Sequence, residues 1–278
     1  MYDGDLKYEY HVTVILIFSR DLFSNQITQL DGNAFINLPK FTHIDLHYNT
    51  INTISADTFV GLESLYSIGL YQCVVKRIES GAFRDLPKLN KLYLFLNGIT
   101  DIGANAFQNL SSLKTIELYH NSLSVIRNTT FSGLPNLHTL DLKYNNIAEI
   151  QPNSFSHLTN LAVLKLSNNE INDVKKNYFN GLANIQEILM DGNEITFLEE
   201  GVFQDMENLT FLSVDLHCNC SIHSFRNWLT LVGKYETTIK CFDIDGTLLK
   251  NLPSCFFDKC NGKTYIYFRI YLINCILQ

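Results

Sequence analysis

The chain has few of the residues that interrupt or redirect a polypeptide. It holds five prolines and 14 glycines in 278 residues and no low-complexity tract, so no linker divides it. A positive charge balance is missing as well. Lys and Arg number 21 against 28 Asp and Glu, a net charge of −7, which argues against a nucleic-acid partner because that class requires a basic footprint. Catalytic signatures are absent: there is no G-x-S-x-G, no P-loop and no H-E-x-x-H, so the chain reads as non-enzymatic with no cofactor. No secretory leader is legible either. The apolar run from Val12 to Phe18 is short, follows Asp3, Asp5 and Glu9 rather than a basic region, and no A-x-A-like cleavage site comes after it. Residues 1–16 read instead as an N-terminal strand or incomplete cap over one end of the fold. Cysteine is nearly absent from most of the chain. Only Cys73 precedes residue 217, and the other six cysteines crowd behind it, which points to a local disulfide module in an oxidising compartment.

What is present is a repeat. Residues Leu137 to Asn160 place apolar side chains at 137, 140, 142, 147, 150, 155 and 158, and the pattern begins again at Leu161. The spacing is neither a sustained strand period nor a helical one. It suits a short strand, a tight turn and a return segment. One such unit cannot bury its apolar side alone and needs neighbours stacked on it. Repeat starts fall every 24 residues, at Ile17, Phe41, Leu65, Leu89, Leu113, Leu137, Leu161 and Ile185. Arg20 is the one departure among the apolar strand positions of these units. An asparagine recurs at 25, 49, 97, 121, 145, 169 and 193, with Cys73 filling the missing place. A phenylalanine recurs without a break at 35, 59, 83, 107, 131, 155, 179 and 203. Inward asparagines can satisfy backbone groups left free where the chain bends away. Stacked phenylalanines supply a spine, each ring burying about 150–250 Å².

These residues resemble extracellular leucine-rich repeat proteins of the 24-residue subclass, as in Toll-like receptor ectodomains, Slit proteins and variable lymphocyte receptors. The resemblance covers roughly residues 17–260. It implies an α/β solenoid: a curved horseshoe with a parallel concave β-sheet and a mostly irregular convex side. It divides the chain into repeats over 17–216 (eight full, one partial), a cysteine-rich cap over 217–262 and an apolar tail over 263–278. The family accepts Cys in the asparagine place, so Cys73 reads as an inert core thiol. In the cap, the order of pairing implied by the resemblance is Cys218 with Cys241 and Cys220 with Cys260. The N-P-W or N-P-F usually found before the first of these cysteines is missing, and Cys255 is extra, which leaves the second pairing less defined than the first. A zinc site from Cys218, Cys220, His217 and His223 lacks the C-x₂-C spacing of common structural sites, so no metal is assigned.

Sequons at Asn109, Asn128 and Asn208 fall on return segments, where a glycan would fit; a fourth, at Asn219, lies between cap cysteines and is a poor candidate. The tail from Thr264 to Gln278 is strongly apolar, yet at 15 residues with Arg269 inside it is shorter than a bilayer span. It reads as a truncated span, an extra strand or the product of an incorrect gene boundary. With no leader and no N-terminal cysteine cap, the chain reads as incomplete, and membrane attachment stays open.

Function is expected on the outward positions of the concave sheet, two, four, six and seven residues after each repeat start. The sixth places Phe23, His47, Tyr71, Phe95 and Tyr119 in one column, followed by Lys143, Ser167 and Asp191. Tyr48, Tyr93, His120 and Tyr144 flank it. Nothing in the fold requires rings there, and contiguous exposed aromatics mark a protein-binding hot spot. The competing explanation is that they pack on one another across strands. His43, Asp45 and His47 share this face, but the two histidines would lie about 13 Å apart, too far to share a metal. Asp141, Lys143, Lys165, Glu187, Asp191 and Asp215 make the C-terminal part of the face polar. The function expected is recognition of a protein, or a glycan, by a secreted or cell-surface module. The alternative is a structural or adhesive matrix protein whose contacts lie on the edges and the convex side.

Overall fold

The computed structural model describes residues 19–217 apart from 31, 33 and 37, and beyond them residue 225, 236–241 and 247–249. Each repeat contributes one short strand to a single sheet of 11 strands. The strands Ser19–Asp21, His43–Asp45, Ser67–Gly69, Lys91–Tyr93, Thr115–Glu117, Thr139–Asp141, Val163–Lys165, Glu187–Ile195 and Phe211–Leu216 follow one another in chain order, all parallel. The register keeps the sequence period: Ile44 faces Ile68, Ile68 faces Leu92, Leu92 faces Ile116, and so on to Ile188 and Leu212. A shift of one residue would turn every inward apolar side chain to solvent, so burial fixes this register. The first repeat joins the sheet despite Arg20, which pairs with Ile44 through the backbone.

The core follows the repeat. Leu92, Leu94, Ile116, Leu118, Leu140, Leu142, Leu164 and Leu166 are fully buried. Burial of each such side chain contributes about 1.5–3 kcal/mol. Behind them the phenylalanines stack in parallel, with centroids 5.6 Å apart for Phe35–Phe59, 5.4 Å for Phe59–Phe83, 5.9 Å for Phe83–Phe107, 6.1 Å for Phe107–Phe131 and 6.4 Å for Phe131–Phe155. The stack resumes with Phe179–Phe203 at 6.0 Å.

The recurring asparagine joins each repeat to the one before it. The amide of Asn121 donates to the carbonyls of Leu118 (2.9 Å) and Leu94 (3.0 Å), and its oxygen accepts from the N–H of Ile99 (3.0 Å). Asn145, Asn169 and Asn193 repeat this set. Cys73 is buried and free, and its thiol donates to the Leu46 carbonyl at 3.0 Å. Burial pushes this thiol's pKa up, against a smaller opposing pull from the Asn49 backbone, so the thiolate is suppressed.

Helix is nearly absent among the described residues. The 3₁₀ turn Lys176–Tyr178 is a short exception, and the rest of the return segments run through turns. Asp57, Asp85, Asn105, Asn109 and Asn153 sit there at positive φ, as do Gly61, Gly133 and Gly181, which breaks any helical ladder. The convex side is thus mostly irregular, as expected, and the described part of the solenoid consists of parallel strands and turns with almost no helix. Short two-residue ladders are added, such as Thr53–Ile54 with Arg77–Ile78 and Asp101–Ile102. A second amide ladder also appears, in which Asn136, Asn160, Asn184 and Asn208 each donate to a carbonyl of the preceding repeat at 2.8–3.0 Å.

The main sheet continues past residue 217. Glu236–Cys241 pairs in parallel with Phe211–Leu216, and Thr247–Leu248 pairs antiparallel to it. Cys241 is buried and disulfide-bonded. Cys218, Cys220, Cys255 and Cys260 lie outside the described residues, as do residues 1–16 and 263–278. Among the described residues no helix is long and apolar enough to cross a membrane.

Candidate functional site

The outward face of the main sheet brings all nine expected ring residues into one connected network. Phe23 stacks on His47 with centroids 4.9 Å apart. His47 on Tyr71, Tyr71 on Phe95, and Phe95 on Tyr119 follow at 4.6 Å each, all within 10° of parallel. The step equals the spacing of neighbouring strands, so the backbone alone sets the stack. Tyr48 tilts against His47 at 5.0 Å, and Tyr93 meets Phe95 edge-on at 6.4 Å. His120 meets Tyr119 edge-on at 5.7 Å and stacks on Tyr144 at 4.3 Å. The column is half-buried by its own stacking, while Phe23, Tyr48 and Tyr144 remain 47%, 56% and 46% exposed. The rings pack on one another across the strands; those in the middle of the network are half-buried and those at its two ends are exposed.

The stacking decides what the column can offer. Each interior ring has both faces covered by its neighbours, so it presents an edge. Sugar or base stacking, which needs an open face, is confined to the ends of the column and to the flanking rings. The phenols of Tyr71 and Tyr119 have raised pKa values, through burial first and then through Asp45 for Tyr71 and Glu117 for Tyr119. They therefore stay neutral donors throughout the physiological range.

The flanking residues sit at an unusual corner. Tyr48, Gln72, Leu96, His120, Tyr144 and Asn168 all have φ between 54° and 56°. Hydrogen bonds between repeats hold this left-handed backbone, as when Leu96 N–H donates to Tyr119 O (3.0 Å) and Tyr144 N–H to Ser167 O (3.1 Å). Such a conformation costs a non-glycine residue about 1–2 kcal/mol.

Four carboxylates of this face have partners within the sheet. Asp45 Oδ1 lies 2.6 Å from His47 Nδ1 and accepts from the His47 N–H at 3.2 Å. Gly69, its neighbour on the next strand, makes room, because a Cβ there would come within 3.0 Å of that oxygen. His43 turns elsewhere, to Thr42 Oγ1 at 2.9 Å, so the two histidines serve different partners. Asp141 is nearly buried and draws in Lys165 at 3.4 Å and Lys143 at 3.8 Å. Asp191 accepts from Ser167 at 2.8 Å, and Asp215 accepts from Gly192 N–H at 2.7 Å.

Glu117 is a member of this face that the column of rings did not reveal, although its place four residues after Leu113 marks it as outward. It lies between Tyr93 and Asp141 in register. Its carboxyl pKa is raised, by burial first and then by the charge of Asp141. Tyr66, tilted on His43 at 5.8 Å and 42% exposed, is a second addition. Among the three expected glycan sites, all exposed, the Asn109 amide is bound to Asp85 (2.7 Å) and the Asn208 amide to the Ala183 carbonyl (3.0 Å). The Asn128 side chain makes no hydrogen bond among the described residues.

Two family models match this architecture: a leucine-rich repeat over residues 21–75 and a BspA type leucine-rich repeat region, in six copies, over 76–210. The chain belongs to the leucine-rich repeat proteins. No curated protein matches its sequence. Among solved structures, it is similar to a chain of the Toll–Spatzle complex of Drosophila, with a TM-score of 0.65 and 21% identity over 84% of this chain. It is also similar to a chain of the TLR13–ssRNA13 complex (TM-score 0.58, 21% identity, 80% of this chain). A third similar chain comes from the octameric complex of Latrophilin 3, Unc5D and FLRT2 (TM-score 0.62, 24% identity, 85% of this chain). The chain spans 29% of the first relative, 35% of the second and 81% of the third. At these identities the likeness speaks to the fold alone.

Proposed function

We propose that the chain is a protein-recognition module that binds its partner on the outward, concave face of the main sheet. The observation that carries this reading is the ring network from Phe23 to Tyr144, which is contiguous and partly exposed on a face the core does not need. Edges and neutral phenols, rather than open ring faces, favour a protein surface over a glycan. Two of the similar structures are complexes of leucine-rich repeat chains with proteins, which supports the same class of partner. The third holds single-stranded RNA, but a net charge of −7 is poorly suited to a polyanion. A secreted or cell-surface location fits the clustered cysteines and the disulfide at Cys241. With it go the repeat and cap boundaries, the Cys218–Cys241 and Cys220–Cys260 pairings and glycans at Asn109, Asn128 and Asn208, of which the Asn109 and Asn208 amides are held by hydrogen bonds.

The test is selection of a randomised, displayed peptide library on the folded chain and on the Tyr71→Ala, Phe95→Ala, Tyr119→Ala triple variant, with circular dichroism confirming that the variant folds. The expected result is enrichment on the wild type that the triple variant loses. Peptides that bind both equally would place the site elsewhere. Binding of a single-stranded RNA that the triple variant loses would replace the protein reading with a nucleic-acid one.

A further inference from the structure

The stack of rings fixes the plane of His47 but not which of its edges faces the sheet. Phe23 and Tyr71, on the strands to either side, cover its two faces with centroids at 4.9 and 4.6 Å, within 16° and 10° of parallel. A half turn of the ring would keep that plane and exchange a nitrogen for a carbon on the inner edge. Asp45 decides between the two. Its Oδ1 lies 2.6 Å from His47 Nδ1 and also accepts the His47 backbone N–H at 3.2 Å, so the carboxylate is held against the ring.

An ionised carboxylate can only accept, so Nδ1 carries the proton between them. A neutral imidazole has one N–H, and with it on Nδ1 the outer nitrogen, Nε2, is left as a lone-pair acceptor. Among the described residues Nε2 makes no hydrogen bond. With both faces covered, the 16% of the side chain that stays exposed lies at its rim. Within the column His47 is the one ring that accepts without donating. Phe23 and Phe95 have no polar atom, and Tyr71 and Tyr119 carry phenols that donate. The other groups around it leave this assignment undisturbed. Tyr48 and Tyr71 bring phenols, Gly69 and Asp21 stand level with Asp45 on the adjoining strands, and His43 turns to Thr42.

We infer that Asp45 sets His47 as a hydrogen-bond acceptor at Nε2, and that this atom selects a donor, an N–H or O–H of the protein partner, at this point of the concave face. Asp45 is a positioning residue and His47 makes the contact. The lone pair defines the occupant: an apolar group would leave it unsatisfied, and a carbonyl or carboxylate would be repelled by it. A second proton on the ring would turn Nε2 into a donor and reverse the preference. The inference rests on the concave-face reading and adds the polarity that selects the partner.

Long-range nitrogen–proton NMR spectra of the full chain read the tautomer directly. They are recorded at about pH 8, above the ordinary histidine value. The His47 signals are those missing from His47→Phe, a variant that keeps the stack and removes both nitrogens. The wild type should show a protonated Nδ1 and a bare Nε2, and Asp45→Ala should move the signals towards a mixture of tautomers. Displayed peptides enriched on the wild type at the same pH should bind His47→Phe about tenfold more weakly, the effect of losing one hydrogen bond and stranding its donor. Asp45→Ala should weaken them in the same sense. Acidifying until the spectrum shows both ring nitrogens protonated should weaken wild-type binding by a similar factor, beyond any change seen with His47→Phe. Circular dichroism confirms that each variant folds. A wild-type spectrum with a proton on Nε2 at about pH 8, signals unmoved in Asp45→Ala, equal binding to wild type and His47→Phe, or binding indifferent to the second proton overturns the inference. If the Tyr71, Phe95 and Tyr119 triple variant abolishes binding while His47→Phe does not, concave-face recognition stands and only the acceptor role is lost. If neither matters, or no peptide is enriched on the wild type, both readings fall together.

Discussion

The backbone N–H of Cys73 donates to Oδ1 of Asn97 at 2.8 Å, yet Cys73 has no oxygen to offer the repeat before it. Elsewhere in the ladder the asparagine oxygen accepts from an N–H 22 residues earlier, as Asn121 does from Ile99 and Asn145 from Leu123. At Cys73 a sulfur, a weak acceptor, faces that position. The ladder therefore keeps its packing and its donor bond at this rung, through the thiol and the Leu46 carbonyl, and loses only the acceptor bond to the repeat before it.

Replacing Cys73 by Asn should restore the rung. The gain expected is about 1 kcal/mol, the net worth of a typical hydrogen bond, seen as a higher midpoint of urea unfolding. An unchanged or lower midpoint would show that the backbone around Val74, at φ 58°, has adapted to the thiol.

The converse change is more severe. Asn121→Ala leaves the N–H of Ile99 without its partner in a buried strip and removes one of two amide donors from each of the carbonyls of Leu94 and Leu118, which keep Asn97 and Asn145 respectively. A loss of about 1–3 kcal/mol is expected from leaving that buried donor unsatisfied. Hydrogen exchange should show the loss concentrated at repeats next to Asn121, because solenoid stability is built from neighbour contacts.

The two columns of rings should respond differently to truncation. Phe107 is fully buried between Phe83 and Phe131, and Phe107→Ala should cost about 3–5 kcal/mol. Tyr119→Ala, on the partly exposed column, should cost much less stability while reducing peptide binding. Equal destabilisation by both, measured by chemical denaturation, would mean that the outward column serves the fold.

Glu117 titrates above the ordinary glutamate value in the folded chain, because burial disfavours its charge and Asp141 adds to the effect. Between the unfolded and folded values the native chain holds a proton that the unfolded chain has released. The associated stability is present at low pH and is lost as pH rises through the folded value. Glu117→Gln should therefore melt at a higher temperature than the wild type at about pH 7, with the difference closing towards about pH 4. A variant that melts lower at about pH 7 would mark Glu117 as a structural residue.

Much of this was legible in the residues. The phenylalanines and leucines at a fixed interval fix the repeat, the register and the core, because only stacking can bury them. The outward column could also be counted off, and its rings meet at the strand spacing because the sheet places them there. Glu117 can be counted off in the same way. Its signal is weak because a carboxylate in a line of polar residues looks solvated until its neighbours' pairings are known.

Other features came only with the tertiary structure. Tyr48, Gln72, Leu96, His120 and Tyr144 are not residues that signal a left-handed corner, and only Asn168 and Gly192 conform to that preference. Hydrogen bonds to the next repeat impose the corner against local propensity. The sequence placed Lys143 and Lys165 near two carboxylates without saying which one they would choose. That choice depends on separations of 3.8 and 3.4 Å between side chains, and it is what leaves Glu117 unpaired. A periodic sequence determines what is stacked on what, since burial of its apolar positions admits one arrangement. Which polar groups are satisfied and which stay available to a partner is settled by side-chain geometry between repeats, where no single repeat holds the information.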